Sequence, residues 1–167
     1  DLSKATFKLR LFDALHGDTL PAKLKVIVFP LSKSFDEGSG MDPFAFQDIG
    51  SANFLTASGA GSTAVKWEVT GADHPGVLGS DNLDIISSGT IDGTLTDLFA
   101  TQTFDSGEED LNIDVTTVVS AALVGLLPDH GFRISYSGSE ETDNKTRFVK
   151  KFFSRHANVY SKQPRLE

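Results

Sequence analysis

An all-β fold is what the sequence predicts: an antiparallel β-sandwich of jelly-roll type with one short helix near residues 117–127. Three observations predict it. Apolar and polar residues alternate along much of the chain, the period of a half-buried strand. The strand-like runs are short and lie between long stretches rich in Gly, Ser and Asp. Apolar residues recur at helical spacing only once. The chain has 167 residues, enough for one core but not for two. Residues 1–167 are therefore expected to form a single β-sandwich domain.

The elements follow in order. Phe7, Leu9 and Leu11 face one way and Lys8 and Arg10 the other, which is a half-buried strand. Leu24, Val26 and Val28 alternate with Lys23 and Lys25, but Ile27 and Phe29 make the second face apolar too. That strand is expected at the centre of a sheet, with Pro30 at its end. Residues 32–63 read as loop, studded with Phe35, Phe44, Phe46 and Phe54; so long a loop in a compact domain usually has a purpose. Val65, Trp67 and Val69 predict a short strand, and further strand-like pieces lie around Leu83 to Ile86 and Thr101 to Phe104. The run from Asp105 to Asp110 is an acidic turn, and Leu111, Ile113 and Val115 make the next strand.

The period then changes. Val118, Val119, Ala122, Leu123 and Leu126 mark the helix; Asp114 or Thr116 can cap it, and Gly125 with Pro128 stops it. Phe132, Ile134 and Tyr136 return to strand spacing. Phe148 and Phe152 suggest another strand, with Lys150 between two inward Phe residues, so a bulge or a mixed face is expected there. A last strand starts near Pro164.

Composition excludes several chemistries. The absence of Cys removes disulfides, thiolate metal sites and Cys nucleophiles. The net charge of -8 opposes general binding to nucleic acid or an anionic membrane. No apolar run approaches the ~20 residues that span a bilayer as a helix. The charge is uneven: residues 1–144 hold 8 Lys and Arg against 22 Asp and Glu, whereas residues 145–167 hold 7 against the single Glu167. A basic C-terminal segment follows an acidic body. It reads either as a strand packed beside acidic neighbours or as an assembly patch built on Arg147, Lys150, Lys151 and Arg155. The aromatic set, 13 Phe with 1 Trp and 2 Tyr, is a set for packing or subunit contact, because sugar platforms favour rings with a polar edge.

Catalytic constellations are missing. His16, His74, His130 and His156 are scattered through predicted turns without ligand spacing. No G-x-S-x-G frames a serine nucleophile, no phosphate loop is present, and the acidic pairs Asp36-Glu37 and Glu108-Glu109-Asp110 are loop clusters. The chain is accordingly expected to be non-enzymatic. No cofactor is implied except a structural calcium ion, for which the loop residues Asp36, Glu37, Asp42 and Asp48 are the candidates, since hard cations take loop carboxylates and carbonyls. Trp67, between Val65 and Val69, is expected in the core, with sugar stacking as its other use.

Two segments carry a resemblance. One runs Asp114-Val115-Thr116-Thr117-Val118-Val119, through the helix, to Pro128-Asp129-His130-Gly131-Phe132-Arg133-Ile134. The other is Phe152-Phe153-Ser154-Arg155-His156 followed by Gln163-Pro164-Arg165-Leu166-Glu167. Together they resemble the DNRLRE-type domain, a jelly-roll sandwich similar to carbohydrate-binding modules. Ser137-Gly138-Ser139-Glu140-Glu141-Thr142, Val28-Phe29-Pro30-Leu31-Ser32 and Ser34-Phe35 with Gly38-Ser39-Gly40 resemble its branch of tailed-bacteriophage virion structural proteins. The resemblance implies a virion location and a structural role as capsid decoration, neck or tail/fibre protein. Other virion proteins and further copies of the chain would be its partners. Members of that family usually carry further strands upstream of the position of Asp1, so the resemblance implies either a longer protein or an edge supplied by a neighbouring subunit. The alternative is a carbohydrate-binding module, on a secreted extracellular enzyme or on a fibre that touches host glycans.

Overall fold

A computed structural model describes residues 4–15, 17, 23–38, 48–145 and 148–167. It is all-β and sandwich-like, with eleven short strands and two short helices among the described residues. Contacts divide the chain into two compact units. The first is Asp1–Val28, Ala100–Ser120 and Ile134–Glu167; the second is Phe29–Phe99 and Ala121–Arg133.

The first unit holds one three-stranded antiparallel sheet and the greater part of a second. In one, β1 (Lys8–Leu11) lies between β9 (Leu111–Asp114) and the terminal β11 (Arg165–Leu166). Leu9 stands opposite Ile113 and Leu166, and Leu11 opposite Leu111. In the other, β2 (Leu24–Pro30) lies between β8 (Ala100–Phe104) and β10 (Phe132–Tyr136), with Leu24 opposite Phe104 and Val28 opposite Ala100. The expected alternation holds: Leu9, Leu11, Leu24, Val26, Val28, Phe104, Leu111 and Ile113 are buried. Each such side chain contributes ~1.5–3 kcal/mol by leaving water, which is why these faces and not their polar counterparts turn inward.

The second unit is built on β5 (Pro75–Val77), β6 (Ile85–Ile91) and β7 (Thr94–Asp97), and on a hairpin of β3 (Thr56–Ser58) with β4 (Val65–Lys66). β5 and β6 run parallel, a local exception to the antiparallel pattern. β6 and β7 are joined through Asp92-Gly93, both at positive φ (49° and 78°). Two successive left-handed residues are what a two-residue hairpin loop needs to match strand twist.

Three expectations are corrected. The helix α1 spans Thr116–Leu123 and ends one turn before residue 127. Gly125 adopts φ 78°; its N–H donates to Ala122 O and that of Leu126 to Ala121 O, both at 2.9 Å. This is a left-handed glycine stop that satisfies the last carbonyls. The second helix, α2, is the single turn Ser139–Thr142. The strand expected at residues 65–69 stops at Lys66, because the carboxylate of Asp84 takes the backbone N–H groups of Glu68 and Val69 out of any ladder. No strand forms over the described residues 148–153; only Phe152 bridges, to Asp13, and Lys150 turns its side chain inward.

Candidate assembly surface

The basic C-terminal segment was one candidate, and its cations are largely engaged within the first unit. Lys150 is the clearest correction. Its side chain is 3% exposed; Nζ donates to Asp13 Oδ1 at 2.5 Å and to the carbonyls of Gly107 and Glu109 at 2.8 Å. An ammonium so enclosed offers no charge to a partner. Lys162 and Arg165 lie over the Phe12 ring at 5.3 and 5.7 Å, and Arg165 also over Tyr160. Lys151 and Arg155 are exposed, with Arg155 Nε donating to His156 Nε2 at 3.5 Å. Arg147 lies outside the described residues. The first unit contains 12 Lys and Arg and 12 Asp and Glu, so its basic tail is balanced by its own acidic neighbours.

The second unit differs in kind. Its 3 Lys and Arg face 11 Asp and Glu, so it carries the entire net charge of -8. It also holds 12 of the 17 exposed large hydrophobic residues among those described. Three of these, Ile49 (74% exposed), Phe54 (67%) and Leu55 (60%), flank the β3–β4 hairpin.

Local hydrogen bonds hold Phe54 and Leu55 outward. Asn53 Oδ1 accepts from Leu55 N at 2.8 Å and Thr56 N at 3.2 Å. The carbonyl of Leu55 accepts from Trp67 N at 3.2 Å and that of Phe54 from Gly71 N at 2.7 Å. With the backbone tied on both sides, the two side chains project. Trp67 does the reverse: its ring packs on the buried cluster of Leu31, Ala72 and Ile85, and Nε1 donates to Asn53 O at 2.8 Å. The lone indole therefore braces the hairpin.

Beneath this surface lies Asp84, fully buried. Its oxygens accept from the backbone N–H groups of Glu68 at 2.8 Å, Val69 at 2.9 Å and His74 at 3.2 Å, and Lys33 Nζ stands 3.4 Å away. Lys33 also donates to Glu68 at 2.9 Å. Partial burial of Lys33 works against its charge, but the hydrogen bonds and charges of Glu68 and Asp84 outweigh that and hold its pKa above the usual lysine value. Sequence reading missed Asp84. The available signal was a lone carboxylate between Leu83 and Ile85-Ile86, since a charge inside an apolar run must be satisfied within the fold.

Of the calcium candidates, Asp36 and Asp48 lie at one glycine, Gly38. Asp36 Oδ1 accepts from Gly38 N at 2.9 Å, and Asp48 lies against the same glycine, where an added Cβ would meet its Oδ2 at 2.9 Å. Glu37 is exposed, and Asp42 lies outside the described residues. No group of three metal-ligating side chains occurs among the described residues. His74, His130 and His156 stand in turns or irregular segments; His16 lies outside the described residues. No helix among the described residues is long and apolar enough to cross a membrane. In comparisons with known proteins, no family model, no curated protein and no solved structure matches the chain.

Proposed function

We propose that the chain is a non-enzymatic structural component of a tailed-phage virion, acting through protein–protein assembly as a capsid decoration, neck or tail/fibre protein. One observation carries the assembly role: exposed apolar side chains are concentrated on the unit that also holds the whole net negative charge. Clustered apolar exposure marks interaction surfaces, and a single-sign field steers and selects the partner. The occupants this reading names are further copies of the chain and a virion protein with a basic face. The virion context rests on the sequence resemblance. Trp67 gives no support to a sugar platform, because its ring and its N–H are both used inside the fold.

The test joins sedimentation velocity with mass spectrometry of purified phage particles. Stable oligomers and the chain's peptides in the particles are expected. Leu55→Asp should weaken self-association without unfolding the protein, because an exposed substitution shifts stability by only about 0.5 kcal/mol. A strictly monomeric protein that is absent from particles would overturn the proposal.

A further inference from the structure

We propose that Lys150 and Asp13 condense into an intramolecular isopeptide bond, from Nζ to Cγ, that covalently closes the first unit. The two residues are 137 positions apart, yet the backbone sets them side by side. Asp13 bridges to Phe152 in antiparallel sense, Ala14 N donates to Lys151 O at 3.1 Å, and Phe153 N donates to Phe12 O at 3.0 Å. In that register positions 13 and 150 are diagonal neighbours on one face, within reach of a long side chain. Asp110 Oδ1 accepts from Asp13 N at 2.8 Å and fixes the acid's own backbone.

The side chains are already in contact and shielded from water. Lys150 is 3% and Asp13 10% exposed, with Nζ 2.5 Å from Oδ1. The rings of Phe104 and Phe152 each lie 5.0 Å from Nζ. The carbonyls of Gly107 and Glu109 hold the nitrogen from two further directions. Such fixed proximity replaces a bimolecular encounter by an intramolecular one, which is a large rate advantage.

The chemistry balances without a co-reactant. A proton passes from the Lys150 ammonium to the Asp13 carboxylate, leaving an amine and a carboxylic acid. The amine lone pair attacks Cγ and forms the N–C bond. The C–O bond to one acid oxygen breaks, and that oxygen takes up the second nitrogen proton and leaves as water. The amide keeps one N–H for one of the two carbonyls and no longer buries two charges. A cavity of about 250 Å³, lined in part by Lys150, Phe152 and Tyr136, gives the released water a place. The bond would join the first and last of the three chain segments that make the unit, in a protein with no Cys to cross-link it.

Intact mass of the full chain under denaturing conditions tests this, with a tryptic map. The expected result is a mass one water below the sequence value. The map should show a branched peptide joining the Asp13 and Lys150 segments, with no cleavage after Lys150. Asp13→Ala and Lys150→Met should both restore the mass of their own sequence. A wild-type protein that keeps its full sequence mass after folding and prolonged incubation overturns the proposal, as does a water loss that maps elsewhere. The wild-type measurement decides even if a variant does not fold.

Discussion

Replacing Asp84 with Ala tests the internal support of the second unit most severely. The substitution removes the acceptor for three backbone N–H groups and one partner of Lys33. A buried donor left without a partner costs about 1–3 kcal/mol, and breaking a buried ion pair by removing one member costs about 3–5 kcal/mol. These losses overlap, and Lys33 keeps Glu68 at 2.9 Å, so the expected total is about 4 kcal/mol. Natural domains hold about 5–15 kcal/mol in all, so a quarter or more of the stability is at stake. Urea unfolding followed by fluorescence suits the problem, because Trp67 is the only indole and adjoins Glu68, whose N–H is one of those released. Asp84→Asn keeps the volume and one accepting oxygen but turns an NH2 group toward backbone donors, and should fall between wild type and Ala. A loss below about 1 kcal/mol for Asp84→Ala would refute the reasoning, since it would mean that water or a local shift satisfies the freed groups.

Two further predictions concern the turns. Glu109 Oε1 accepts from Ser106 N and Asp105 N, each at 2.8 Å. The Ser106 bond above all, against an opposing effect of burial, lowers its pKa from 4.5 to about 2. A depressed folded-state value means that the stabilisation is present above pH 4.5 and disappears as pH falls toward 2; Glu109→Gln should flatten this acid limb in unfolding curves taken across that window, and an unchanged limb would count against it. Gly59 has φ 71°, and a Cβ there would sit 2.5 Å from the Thr63 carbonyl oxygen; Gly59→Ala should cost about 2–3 kcal/mol in thermal or urea unfolding, and a neutral result would place the constraint elsewhere.

Legibility of the fold differed between elements for identifiable reasons. Leu9, Leu11, Leu24, Val26 and Val28 were readable because one buried face imposes a period of two. The strand Thr94–Asp97 was not read, since its side chains are mostly exposed and carry no apolar alternation; the Asp92-Gly93 pair before it was the usable signal. Val65 and Val69 alternate in sequence yet are both exposed, because a carboxylate 15 residues downstream captures the backbone at Val69. The candidate surface was half legible. The loop Phe residues suggested packing or subunit contact, but that Phe54 projects while Trp67 packs inward depends on the hydrogen bonds of Asn53.

By itself the sequence determined the all-β class, the main strands, the position of the helix and the freedom from Cys chemistry. All of these follow from local periodicity and composition. Only the tertiary structure decided where the charge resides. Counted along the chain, the contrast is an acidic body and a basic tail. In space, Lys150 of the tail pairs with the Asp13 carboxylate and donates to the backbone carbonyls of Gly107 and Glu109, so it reaches both earlier segments of its unit, and the net charge falls wholly on the other unit. Long-range contacts choose which charges meet, and no local pattern encodes that choice.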